Sequence, residues 1–327
     1  MIDPSLAHSI NRRQFLRGTC LGFGGMALNS MLGSPRPAPK AKAKSVIWLF
    51  MRGGVSHMES FDPKPALNDH AGKSIPDSPY SNVLDPEKFE NQRVVVVGDA
   101  NGQQRNKLYP LQTGYKQYGE SGTMVSDWFP HIGKQVDDLA IIRSMWTTDN
   151  NHGAQVQFHS GRHMLDPHEP TIGAWVTYGL GSLNDNLPQF INIGPRFFDK
   201  RDGHYLGPAY DAVNLKIDPK NPLNFAKPEG DINLDEQKAT FDLTGRLNRL
   251  SAKMYPFDPA LEARIKSYEL AYRMQSAVPE TINFDDESES IKKLYGLDQK
   301  ETRPFGEQLL AARRFVERGV RFVQIMH

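Results

Sequence analysis

The 327-residue chain carries 39 basic and 38 acidic residues, for a formal net charge of +1. That length allows one large α/β domain or two small ones with a sizeable core. A balance this even gives no basic footprint for a nucleic-acid partner, and the only cysteine, Cys20, leaves no pair for an intramolecular disulfide.

Asn11-Arg12-Arg13-Gln14-Phe15-Leu16 precedes a Gly-rich, mildly apolar stretch from Gly18 to Leu32. This reads as a twin-arginine signal, a cue for the export machinery rather than part of the fold, and it places the mature protein in the periplasm or outside the cell. The apolar stretch falls short of the roughly 20 residues of a membrane span; an uncleaved anchor is the alternative. Ser34 to Ala43 forms a Pro/Ala/Lys linker ending in a small-x-small cleavage signal, and Cys20 sits too early in the segment to be a lipidation site. Without residues 1–43 the chain has 33 basic and 37 acidic residues, a net charge of −4 and no cysteine.

Val46 to Met51 is an unbroken apolar run, rich in β-branched and aromatic side chains, and suits a strand buried on both faces. Gly53-Gly54 then lets the backbone turn sharply, and Ser56, His57, Glu59 and Asp62 follow. These groups can bind metal or move protons, and the residues just past a buried strand lie where open α/β sheets place ligands. A tight turn with solvated polar residues is the competing explanation. Residues 63 to 125 are rich in Pro, Gly, Asn and Asp, with a strand expected only at Arg93 to Val97; a loop region this long points to a lid or binding surface. Phe129 to Asp138 is expected to be helical and Leu139 to Met145 to be a short strand, an alternation that favours a parallel sheet.

Thr147 to Asn151 is polar, Gly153 to His159 has helical character, and four histidines fall between His152 and His168. His159 and His163 would share a face on a continuous helix, as paired metal ligands do, but Gly161 between them argues against such a helix. His152 stands at the turn into a helix, where N–H groups and the dipole favour an anion; it could equally be a capping or core histidine.

Helices are expected over Thr171 to Gly181, Leu234 to Tyr255, Pro259 to Ser276 and Glu307 to Arg318. In the third, Leu261, Ile265, Tyr268, Leu270 and Tyr272 form the core stripe; in the last, Arg313-Arg314 lie on the polar side and Gly319 caps the end. Strands are expected at Pro188 to Ile193 and from Val320 to Ile325, with a Gly/Pro-rich loop containing Arg196, Arg201 and His204 between them. The chain stops at His327, where that last strand should deliver a functional loop, so the sequence reads as truncated.

Several of these stretches together resemble one family of exported bacterial proteins, the domain-of-unknown-function family 1501: RRQFLRG, IWLFMRGGVSHMESFDPKP, NNHGAQVQFHSGRH through TIGAWVTYGLGS, YELAYRMQSAVPE and AARRFVERGVRFVQ. The family is similar to the alkaline-phosphatase-like superfamily, which includes sulfatases. The resemblance implies a three-layer α/β/α sandwich over residues 44–327, with a mostly parallel central sheet that is incomplete at its C-terminal end. Pro130-His131-Ile132 with Leu139-Ala140 resembles the helix before the second sulfatase strand, and Asn151 to Arg162 is similar to the sulfatase nucleophile segment. The nucleophile position falls on Asn151 beside His152, with Gly153, Ala154 and Gln155 in place of Pro-Ser-Arg, and the first-strand metal-binding Asp falls near Arg52-Gly53.

Asparagine is no nucleophile for ester hydrolysis. The residues therefore suit a metal-bound water with His152 as general base, and a phospho-histidine route through His152 is the alternative. His57, Glu59 and Asp62 are the acid/His cluster available for a divalent Zn, Ca or Mg ion. The implied activity is hydrolysis of sulfate or phosphate esters, on a small anionic ester or a sulfated glycan, with the chain as given inactive for want of the later ligands. The alternative is a non-catalytic binding or structural protein on the same scaffold.

Overall fold

The structure is a computed structural model, which describes residues 42–84, 87, 107–148, 152–195, 202–218, 222, 233–254 and 259–327. The strand expected at Arg93 to Val97, the loop arginines Arg196 and Arg201, and nearly all of the export segment lie outside these residues. The chain divides into two compact units. One comprises residues up to Phe50, His159–Arg162 and Asp166–His327; the other comprises Met51–Phe158 and His163–Leu165.

The first unit is built on a parallel sheet. Its strands are β1 (Val46–Phe50), β4 (Phe190–Ile193), β5 (Val213–Leu215) and β6 (Phe322–Met326), in the order β1-β6-β4-β5. Every pairing is parallel: Trp48 lies opposite Gln324, Gln324 opposite Asn192, and Asn192 opposite Asn214. Strands that all point one way deliver their loops to one edge, which is the geometric basis of ligand sites in such sheets.

One face buries Ile191, Ile193, Val323 and Ile325 beneath two helices, α6 (Pro259–Ile282) and α8 (Arg303–Glu317), which contribute Met274, Val278, Ile282, Leu310 and Phe315. Each fully buried aliphatic side chain contributes about 2 kcal/mol. Ala311 and Ala312 let α8 approach the strands closely. On the other face, α4 (Ile172–Leu180) covers Phe190 and Phe322 with Ile172 and Val176. Helix, sheet and helix give the expected three layers. Arg321, buried at the entrance to β6, donates from its guanidinium to the carbonyls of Leu180, Gly181 and Lys44. It thereby caps α4 and pins the chain entering β1.

Three expectations need correction. β1 is an edge strand with alternating burial rather than one covered on both faces, because the helices on the α8 side pack over the inner strands; Ile47 and Leu49 remain 40 % and 53 % exposed. The core stripe of α6 lies in its last turns, at Met274, Val278 and Ile282, while Tyr268 is exposed. Arg314 is not on a polar surface: it is buried, and forks onto Asp286 at 2.6 and 3.0 Å while also reaching Glu287 at 2.9 Å. Gly319 ends α8 at φ +87°, as expected. Ahead of α6, α5 (Leu234–Met254) packs along it, with Phe241 and Tyr272 rings 4.5 Å apart.

The second unit contains α1 (Ala66–Asp69), a hairpin of β2 (Tyr115–Tyr118) and β3 (Thr123–Ser126), and the short α2 (Pro130–Gly133). The run Leu139 to Met145 is irregular and largely exposed rather than a strand. Strand propensity alone does not suffice where no neighbour completes the hydrogen-bond ladder. Helix α3 (Gly153–Ser160) carries residues of both units, and α7 (Glu289–Leu294) precedes α8 in the first.

Candidate functional site

The turn after β1 is made possible by glycine. Gly53 and Gly54 adopt φ +80° and +82°, and the Gly54 N–H donates to the Met51 carbonyl at 3.1 Å. A Cβ at either position would meet nothing within 4 Å, so these glycines are required by backbone conformation and the space above them is open. The next segment is a closed turn around the His57 carbonyl, which accepts from the Ser60 N–H, the Ser60 hydroxyl and the Asp62 N–H at 3.0–3.3 Å. Ser60 in turn accepts from Ser126 N–H at the end of β3, at 2.9 Å. The His57 side chain is exposed. Asp62 pairs with Lys64 at 2.7 Å. The Tyr115 hydroxyl donates to the Met58 carbonyl; burial first, then the Glu59 and Asp62 carboxylates, raise its pKa.

Among the described residues no group of three or more His, Cys, Asp and Glu side chains is arranged to hold a metal ion. His57, Glu59, Asp62 and His152 therefore do not assemble into such a group, and the residues described do not by themselves fit the divalent cation that the resemblance implies.

Asn151 lies outside the described residues. His152 stands exposed immediately before α3, and its Nδ1 is 3.1 Å from the side-chain amide nitrogen of buried Gln155. An amide N–H donating to Nδ1 leaves the proton of the neutral ring on Nε2, which then donates a hydrogen bond outward. A 180° turn of the amide reverses this, putting the proton on Nδ1 and leaving Nε2 as a base. The Gln155 amide is thus one group that bears on the tautomer of His152.

The remaining histidines of that stretch separate. Helix α3 ends at Ser160 and Gly161 takes φ +73°, so His159 and His163 do not share a helix face. His159 packs edge-on against Phe50, at 4.4 Å between centroids, and lies 6.0 Å from Trp48. His163 is buried, with Nδ1 accepting from the Leu165 N–H at 3.2 Å. At the end of β6, the His327 N–H donates to the Phe50 carbonyl and its ring lies 4.3 Å from Phe305.

A feature not foreseen from the sequence is a row of amides across the sheet, on the α4 face. Gln324 donates to Asn192 at 3.1 Å, and Asn192 donates to Asn214 at 2.9 Å and to the Gly194 carbonyl at 3.2 Å. Asn192 and Gln324 are buried, and the Gln324 Oε1 acceptor has no hydrogen-bond partner among the described residues. At the end of β4, Gly194 turns at φ +101°, where a Cβ would lie 2.3 Å from the Met326 carbonyl oxygen. The signal was present in FINI and FVQIM: one amide in each otherwise apolar strand. Register alone makes those amides neighbours.

A family model described as a protein of unknown function (DUF1501) matches residues 43–327. The chain belongs to the DUF1501 family. Neither the curated proteins nor the solved structures provide a match to it. Family membership thus bears out the DUF1501 resemblance, while chemistry must be argued from the residues of this DUF1501 chain.

Proposed function

We propose that this DUF1501 chain belongs to an exported, sulfatase-like hydrolase of sulfate or phosphate esters. The observation that carries the reading is His152: solvent-facing, directly ahead of a helix N-terminus, and oriented through Nδ1 by buried Gln155. An ester oxyanion at that N-terminus would meet backbone N–H groups and the positive end of the helix dipole. The Nε2 side of His152 then either donates to the ester or, with the Gln155 amide turned, takes a proton from the attacking water. No step is assigned to a metal, since the described residues do not gather three ligands.

That same observation favours a second reading, a binding protein on the same scaffold that retains an oxyanion without cleaving it. Release of 4-nitrophenol from its sulfate and phosphate esters by the protein purified from its native source, together with its zinc, calcium and magnesium content, separates the two. Hydrolysis is expected. Binding of either ester without release of 4-nitrophenol would exclude the hydrolase reading.

A further inference from the structure

The loop from Asp202 to Ala212 is stapled at its neck. The Asp202 carboxylate accepts from the Ala212 N–H at 3.2 Å and the Thr171 hydroxyl at 3.4 Å, and the Asp211 carboxylate accepts from the Gly203 N–H at 2.7 Å. Inside this closed loop His204 has φ +40°, and it is the only non-glycine with positive φ among the described residues. A residue with a Cβ is held in that region only where its surroundings over-determine it, and such strain clusters at ligand sites. Here it lays the His204 ring parallel to His168, with centroids 5.4 Å apart and 4° between the planes.

The next residue, Tyr205, is 62 % exposed and stands edge-on to Trp175 of α4 at 6.1 Å. Burial first, and then the nearby Glu169 carboxylate, push the pKa of its hydroxyl up to about 12, so it stays protonated at any physiological pH. Arg162 lies near enough for its charge to act on the same hydroxyl. The Arg321 guanidinium holds the C-terminus of α4 at the entrance to β6, and Thr171, just before its N-terminus, reaches through Asp202 to the Ala212 N–H at the entrance to β5, so α4 crosses the amino edge of the sheet. His168 and Glu169 come just ahead of α4, beside the stapled neck of the loop.

We propose that His168, Glu169, Trp175, His204 and Tyr205 form a carbohydrate-binding site. One face of a pyranose ring is a patch of C–H groups, which packs on the electron-rich face of an exposed aromatic ring. Its hydroxyls require donors and acceptors close together, and two imidazoles and a carboxylate supply both. Arg162 adds a cation suited to a sulfate substituent. The inference uses residues of the first unit alone and is measured by binding alone, so its failure and the failure of the ester reading are distinguishable.

The test is calorimetric titration of the whole chain with a neutral cello-oligosaccharide and a sulfated chondroitin tetrasaccharide. Saturable binding of at least one is expected, weakened about tenfold or more in Tyr205→Ala and in His204→Gly. Tyr205→Phe, which keeps the ring, should bind within a fewfold of the parent. Circular dichroism verifies that each variant is folded, and His204→Gly relieves backbone strain rather than adding it. No binding of either sugar at millimolar concentration, or equal binding by the parent, Tyr205→Ala and His204→Gly, would overturn the proposal.

Discussion

At Gln155 the orientation of a single amide bears on which ring nitrogen of neutral His152 carries the proton. A carboxylate in its place accepts only, so Gln155→Glu should hold the proton on Nδ1, leave Nε2 as the base and raise the ring's pKa. The rising limb of the pH–rate profile should then move to higher pH; a profile identical to the parent's would mean that Gln155 does not govern the histidine. His204 offers a stability counterpart. Replacing it with glycine removes the cost of a left-handed residue, and thermal denaturation should show a stabilisation of about 1 kcal/mol. A fall in melting temperature would show that the His168–His204 stack outweighs the strain. At this scale His152 was legible, because a polar turn, a glycine and a helical pattern mark a helix start locally. The amide row was not, since Asn192 and Gln324 meet only once β4 and β6 pair across 132 residues of chain.

Helix α8 shows how an element can hide its most consequential residue. Its periodicity places Arg313 and Arg314 together, yet Arg314 turns into the protein and clasps the Asp286-Glu287 loop, with Arg313 also pairing with Glu287. Hydrogen bonds from Arg314 lower the Asp286 pKa, and those from Arg313 and then Arg314 lower that of Glu287. Because the folded-state values lie below the unfolded ones, the clasp contributes fully above about pH 4–5 and is lost as pH falls through the folded values. Arg314→Ala should therefore cost about 2 kcal/mol at pH 7, short of a fully buried pair because the Asp286 carboxylate is solvent-screened. Denaturant unfolding should show the gap narrowing at pH 3; a gap as wide at pH 3 as at pH 7 would mean packing, not charge, carries the effect. The long helices and the strands β1, β4 and β6 could be read from pattern. The burial of β1 and the strand expected over Leu139 to Met145 could not, because a strand's place and existence depend on distant neighbours.

For the whole molecule, the parallel order β1-β6-β4-β5 gathers the strand ends at one edge, and the buried amide row lies across the α4 face of the same sheet. The proposed export route is independently testable: replacing Arg12 and Arg13 together by lysine should retain the protein in the cytoplasm, as read by cell fractionation, whereas unchanged export would remove the twin-arginine assignment. The central claim is that His152 acts on an ester. It is tested most directly by kcat/KM for 4-nitrophenyl sulfate and phosphate in the native protein and in His152→Ala. A loss of about a hundredfold or more, with the fold intact, is the expected result; equal values in the two proteins would contradict it.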